Sequence, residues 1–331
     1  MLLSIVVPCY NEQEMVPLLW RALTGALASL HDEQGLDSEV ILVDDGSSDA
    51  TLSELRGLAA DPTCQGELSG YLPVLRYRSF SRNFGKEAAL SAGLMAAAGD
   101  LVAVMDADLQ DPPELLAQMY EKLKAGTCDV VAARRVTREG EPPIRSVFAR
   151  LFYRLMGDLS KTEVVDGARD FRMMTRRVVD AVLSLPERSR FSKGIFSWVG
   201  FRTEWIEYRN VERAAGETSW SFWGLVRYSI EGIVSFSIKP LHLASGVGLT
   251  MSLLALVASV VIIVRTLAFG DPVAGWPSLA CLVTLVGGIT LLSTGILGEY
   301  LARVYLEVKQ RPLFLVAEEG SSQEPENDGA A

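Results

Sequence analysis

The sequence predicts an α/β protein in which a mostly parallel, doubly wound sheet precedes two apolar helices long enough to cross a membrane. Three observations carry this prediction. Short apolar runs alternate with helix-periodic stretches through the first two-thirds of the 331 residues, the order that places helices on both faces of a parallel sheet. Three of those runs end in polar loops, 10–12, 44–48 and 106–110, where ligands bind in open α/β sheets. Finally, segments 241–264 and 277–297 contain no charged residue.

Taken in order, residues 3–7 form a first strand. Asn11 with Glu14 three residues on reads as a capping box, opening a helix on which Met15, Leu19, Leu23, Leu27 and Leu30 share one face. Strands are expected at 40–43, 74–77 and 101–105, with helices at 51–60, 85–98 and 114–124. A further strand at 128–133 leads into Arg134, Arg135 and Arg138, and Arg145, Arg150 and Arg154 follow on a helix. Arg169, Asp170 and Arg172 fall on another strand. Segment 216–239 mixes Trp220, Phe222, Trp223, Tyr228 and Phe236 with Ser, Arg and Glu, a composition suited to the headgroup layer of a bilayer. The domain plan is a catalytic domain over 1–212, interfacial helices over 213–240, two transmembrane helices within 241–299, and a tail over 300–331, disordered at its end.

At about 1.5 Å per residue, each uncharged segment spans a hydrocarbon core of roughly 30 Å. The breakers Gly270, Asp271, Pro272 and Gly275 between them make a helical hairpin. Arg227 and Lys239 precede it, Arg303, Lys309 and Arg311 follow it, and Arg265 alone lies in the connection. Basic residues mark the cytoplasmic side, so both ends are expected inside the cell. Met1 runs directly into a strand with no basic leader, so no cleaved signal peptide is expected.

The net charge of −10 argues against a nucleic-acid partner. Cys9, Cys64, Cys128 and Cys281 show no paired spacing, implying neither disulfide nor zinc. The two histidines, His31 and His242, lie near no serine or cysteine motif, which disfavours histidine-assisted nucleophilic catalysis. His31 is expected in a solvated loop and His242 where a helix enters the membrane. Neither GxGxxG after the first strand nor GxxxxGK[ST] anywhere is present, so neither a dinucleotide fold nor a P-loop is implied.

The stretch MDADLQDPPE, 105–114, carries the most chemistry. Asp106 and Asp108 at a strand end place two carboxylates two residues apart, and strand periodicity would send both the same way. Hard cations such as Mg²⁺ or Mn²⁺ take such a pair and complete their shell with water and substrate phosphate. Gln110 would add a third oxygen, and Asp111 reads as a helix cap ahead of Pro112 and Pro113. Arg135, Arg145 and Arg150 suit a second anionic substrate, with a solvated basic face as the alternative. Asp170 either pairs with an arginine or takes a catalytic part.

These runs resemble the polyprenyl-phosphate glycosyltransferases of glycosyltransferase family 2, the group of bactoprenol glucosyltransferases and dolichol-phosphate mannose synthases. The matching stretches are VVPCYNEQE, VDDGSSDAT, SRNFGKEAAL, MDADLQDPPE, DFRMMTRRVVDAVLSLPERSRF, KGIFSWVGFRT, GETSW and GILGEYLARVY, in family order across nearly the whole chain. The resemblance implies a GT-A fold, a nucleotide-sugar donor such as UDP-glucose, Mg²⁺ or Mn²⁺, and undecaprenyl phosphate as acceptor at the bacterial inner membrane. By the same resemblance Pro8, Tyr10, Asn11, Glu12, Asp44, Asp45, Lys86 and Asp106 contact the donor. Asp106, Asp108 and Gln110 form the metal site, and Arg135, Arg145 and Arg150 hold the lipid phosphate. Asp108, Asp170 and Arg172 are the catalytic residues the resemblance implies, Asp170 and Arg172 lying on the strand that flanks the reacting groups. Arg169 departs from the small residues usual before this Asp, which bears on the shape of the acceptor pocket. A second copy of the chain, a downstream flippase and a glycan-modifying transferase are the further partners such a reaction would draw on. Transfer of mannose or formyl-aminoarabinose, and a non-catalytic membrane role beside a flippase, stand as alternatives. A processive polysaccharide synthase would carry QxxRW and more membrane spans, which this chain lacks.

Overall fold

The computed structural model describes residues 1–63, 71–135, 168–188, 190–208, 239–269 and 275–322. The chain divides into two compact units, Met1–Leu225 with Arg311–Ala331, and Val226–Gln310.

The first unit is built on strands β1 (Leu2–Cys9), β2 (Asp37–Asp44), β3 (Val74–Phe80), β4 (Leu101–Val104), β5 (Val130–Arg135), β6 (Ala168–Thr175), β7 (Thr203–Tyr208) and β8 (Val316–Ser321). They form one sheet in the order β7-β5-β6-β4-β1-β2-β3-β8. Strand β1 pairs in parallel with β2 and β4, and β2 with β3. Helices α1 (Met15–Gln34), α2 (Thr51–Ala60), α3 (Lys86–Ala96), α4 (Leu115–Lys124), α5 (Arg176–Leu183) and α6 (Ser192–Trp198) complete the unit.

Helices cover both faces of the central strands, which is why β1, β2 and β4 are apolar almost without alternation. On one face Leu3, Ile5, Val7, Val40 and Leu42 pack with Leu19, Trp20, Leu23 and Leu27 of α1 and Leu116 and Met119 of α4, all fully buried. Each such side chain contributes roughly 1.5–3 kcal/mol. On the other face α3 lies so close that a Cβ at Gly93 would sit 2.1 Å from Val6 Cγ1. Glycine there is a packing requirement.

The sheet is less parallel than the alternation of runs implies. Strand β6 inserts between β4 and β5 and runs antiparallel to both. Strand β8 closes the opposite edge antiparallel to β3, although its Glu318 and Glu319 read in sequence as part of a polar tail. Two local expectations also change. Asn11 does not cap α1, whose N-cap is Glu14; it adopts a left-handed φ of 55°. His31 lies in α1, stacked on Tyr71 with ring centroids 3.9 Å apart. Cys9 and Cys128 are buried free thiols.

In the second unit, α7 (Lys239–Phe269) and α8 (Trp276–Lys309) are helices of 31 and 34 residues that pack on each other. Leu249, Leu253, Leu254, Val257, Val261, Leu282, Leu291 and Leu292 are exposed along them. Among the described residues, Leu285–Lys309 is long and apolar enough to cross a membrane. Helix α8 runs well beyond residue 297, where the uncharged segment ends. The expected interfacial stretch before α7 lies almost wholly outside the described residues.

Candidate active site

The parallel register of β1, β2 and β4 brings three loops to one rim. Cys9 sits opposite Asp44, and Val6 opposite Val104. The loops after β1 and β2 are stitched together: the Ser48 amide donates to Asn11 Oδ1 at 2.9 Å, the Asn11 amide to Ser47 Oγ at 2.9 Å, and the Glu12 amide to Thr51 Oγ1 at 2.8 Å. The left-handed backbone of Asn11 makes this exchange geometrically accessible, a conformation asparagine tolerates better than most residues. Tyr10, at the tip of the first loop, is 45% exposed, and Pro8 is half-buried behind it.

Asp44 and Asp45, by contrast, hold loops. Asp44 accepts from the Ser47 amide at 3.0 Å and from Ser79 Oγ at 2.6 Å. Asp45 accepts from the Phe84 amide at 2.6 Å and the Gly85 amide at 2.9 Å, although burial raises its pKa. Both are buried, and through these contacts they shape the rim.

Strand β4 ends at Val104, so Asp106 and Asp108 lie in the following turn and strand periodicity does not orient them. That turn includes Leu109 at φ 53°, and Asp108 Oδ1 accepts the Gln110 amide at 3.2 Å. The antiparallel pairing of β4 with β6, Val104 opposite Arg172, carries Asp170 to the same rim. Lys86, the first residue of α3, joins the two acids. Its Nζ lies 2.5 Å from Asp106 Oδ1 and 2.5 Å from Asp170 Oδ2. Burial works to lower the ammonium's pKa, but Asp106 and Asp170 outweigh it and raise it. Burial likewise works to raise the Asp170 carboxyl, while Lys86 and then Lys193 hold it well below the usual carboxylate range.

Arg172 lies behind Asp170 on the same strand. It is 5% exposed, donates to the Asp170 and Arg169 carbonyls at 3.1 and 2.9 Å, and lies 4.1 Å over the Phe196 ring. Burial lowers its pKa to about 10 against the pull of Asp170 and Glu87, so it stays charged near neutrality. Glu87, next to Lys86, accepts from the Ser192 amide at 3.0 Å and ties the start of α6 to α3; burial raises its pKa.

Asp111 does not cap α4. It is buried, lies 3.3 Å from Arg169 Nε, and accepts the Tyr208 hydroxyl. Burial raises its pKa despite Arg169. Arg169 also donates to Gln110 Oε1 at 2.6 Å, so the oxygen expected to help hold a cation is engaged by a guanidinium. Arg169 was visible in the sequence as an unusual charge beside Asp170. Tyr208 carried no signal, because only the β5–β7 pairing places it near Asp111.

Asp106 and Asp108 carry the hard oxygen donors a divalent cation takes, with water and substrate phosphate completing its shell. Asp106 Oδ1 is engaged by Lys86 at 2.5 Å, and among the described residues no group of three His, Cys, Asp or Glu comes together as a metal site. Of the arginines expected at a lipid phosphate, Arg135 ends β5 opposite Tyr208, while Arg145 and Arg150 lie outside the described residues.

Comparison with known proteins adds to this geometry. The family model described as Glycosyl transferase family 2 matches residues 4–183. An uncharacterised glycosyltransferase of Synechocystis sp. is 40% identical over 316 residues, covering 96% of this chain and 95% of that protein. A bactoprenol glucosyl transferase of Shigella phage SfII is 39% identical, covering 96% and 97%. A crystal structure of glucosyl-3-phosphoglycerate synthase from Mycobacterium tuberculosis, in complex with Mn²⁺, UDP and phosphoglyceric acid, superposes with a TM-score of 0.44 at 19% identity, covering 70% of this chain and 76% of that one. That likeness is too distant to inform the site.

Proposed function

The chain belongs to glycosyl transferase family 2, with a GT-A fold, and from that premise we propose that it transfers glucose from UDP-glucose to undecaprenyl phosphate with inversion at the sugar. The observation that carries the chemistry is the Asp106–Lys86–Asp170 cluster beside Asp108 at the rim of the sheet. The full-length similarity to a protein named bactoprenol glucosyl transferase supports the choice of sugar and lipid.

Asp106 and Asp108 would hold Mg²⁺ or Mn²⁺, and a cation there supplies charge neutralisation for the departing nucleoside diphosphate. Lys86 adds a fixed positive charge at the same rim, suited to a donor phosphate. A phosphate monoester with a second pKa near 6 is largely ionised at pH 7, so the acceptor oxygen can attack the anomeric carbon without a strong protein base. Asp170 fits that economy. A carboxyl held this far below its usual range is a poor base, so its role is to position Lys86. Arg135, Arg145 and Arg150 are assigned to the acceptor phosphate, where orientation supplies much of the rate. A single in-line displacement converts an α-linked donor into a β-linked product.

Two membrane helices give this reaction its place. A polyprenyl chain is confined to the bilayer while the sugar nucleotide is soluble, so α7 and α8 are assigned as a hairpin with both ends cytoplasmic. The exposed leucines and valines along both helices support that assignment. The test is incubation of the purified protein with undecaprenyl phosphate, Mg²⁺ and a panel of sugar nucleotides, followed by mass spectrometry of the lipids. A glucosyl lipid formed from UDP-glucose is expected. Absence of any lipid-linked sugar across the panel, or an α-linked product, overturns the assignment.

A further inference from the structure

We propose that the C-terminal strand β8 positions the donor side of the site, with Phe314 as the residue that transmits its hold to the loop leading into Lys86. The functional role rests on the reaction proposed above; the structural hold does not. Strand β8 joins the edge of β3 from Arg76 opposite Ser321 to Phe80 opposite Val316, and pairing continues past β3, where the Ser81 amide donates to the Leu315 carbonyl at 3.0 Å. Phe314 stacks on Phe80 with centroids 4.9 Å apart and planes 12° from parallel, and Phe80 meets Phe84 edge-on at 5.7 Å. Phe84 and Gly85 then donate to Asp45, and Lys86 follows with its two carboxylates. One continuous chain of contacts thus links the C-terminal segment to the catalytic rim.

The strand is built to stay on this edge. Arg56 grips Glu318 with two parallel bonds of 2.7 and 2.5 Å, and Tyr77 donates to the same carboxylate at 2.7 Å. Arg56 is the main reason that Glu318's carboxyl falls to about 2. Arg78 lies 3.3 Å from Glu319 Oε2. A Cβ at Gly320 would come within 2.5 Å of the Tyr77 ring, which would have to move to admit it. The register shifts between Ser79 and Phe80; such an irregularity re-aims a strand end, here just before the loop. An added edge strand covers backbone groups that would otherwise lie open, but that alone would not require an aromatic relay running from residue 314 to the loop before α3.

The experiment compares the full-length protein with Phe314→Ala and Phe314→Leu by amide hydrogen exchange and by steady-state kinetics. Exchange reports local opening whatever the substrate is. In Phe314→Ala the amides of Ser81, Phe84 and Gly85 should exchange about fivefold faster, with β1 and β2 unchanged, and Phe314→Leu should recover part of the protection. The donor KM should rise by about the same factor while the acceptor KM holds. A strand that serves stability alone would lower the active fraction and leave both KM values unchanged. Unaltered exchange at 81–85 overturns the relay. Faster exchange with an unaltered donor KM overturns its role in positioning. If no sugar nucleotide is turned over even by the wild type, exchange still decides the structural claim, and the failure belongs to the reaction.

Discussion

Replacing Lys86 with methionine removes a cation that touches both Asp106 and Asp170. Methionine keeps the length and packing of the stem, so the change isolates charge. Nζ sits 2.5 Å from an oxygen of each acid, and stripping one partner from a buried pair costs about 3–5 kcal/mol. The Lys86 side chain is 38% exposed, so solvent screening brings the expected loss to about 2 kcal/mol. In a unit of this size that lowers Tm by about 4–8 °C. The pH dependence has a definite sign. Asp170 is held below its unfolded value, so its contribution is complete above about pH 4 and fades as pH falls through the depressed pKa. Lys86 is raised, so its contribution is complete below about pH 10 and fades only as pH rises through the elevated pKa. The wild-type interaction is therefore constant from pH 5 to 9. In the variant Asp170 keeps Lys193 and Arg172 nearby but loses its nearest cation. Because the wild-type contribution does not change between pH 5 and 9, thermal unfolding of both proteins in chelator should show the same gap at pH 7.5 and at pH 5. Equal Tm values at pH 7.5, or a gap that disappears at pH 5, would refute the reasoning.

Asp108→Ala is expected to reduce turnover by at least about 10²-fold, and exhaustive chelation of the wild type should do the same, with recovery on adding Mg²⁺ or Mn²⁺; undiminished turnover after chelation contradicts the metal site. Arg169→Met leaves Asp111 buried with Tyr208 as its remaining hydrogen-bond partner among the described residues, and denaturant unfolding should register a loss of about 3 kcal/mol. Gly46→Ala should destabilise by about 2 kcal/mol or more, because the added Cβ lies 2.3 Å from the Arg82 carbonyl carbon and φ is +66°; a neutral effect in the same assay would mean that the loops after β2 and β3 can separate freely.

Much of the fold was legible from local pattern. The first four strands and the helices after them follow from apolar runs and period, because each signal lies within one segment. Their parallel order follows from connections too long for hairpins. The acidic pair 106/108 was also visible as residue types beside a strand end, whereas Lys86 entered only through the family resemblance. Strand β6 was legible as a strand but not as one wedged antiparallel between β4 and β5, since no local pattern encodes which neighbours a strand selects. Strand β8 was misread as tail because edge strands are short and charged, and Glu318 and Glu319 look solvated until Arg56 and Arg78 come into view.

What the sequence determined by itself, then, was the set of chemical groups and the strand ends that present them, because composition and periodicity are local properties. What only the tertiary structure decided was partnership: Lys86 between Asp106 and Asp170, Arg169 between Asp111 and Gln110, Asp44 and Asp45 turned to the loops, and the C-terminal strand set beside the third. Ion pairs, and the pKa values that depend on them, act over a few ångströms between residues up to 262 positions apart, and that distance is fixed by packing.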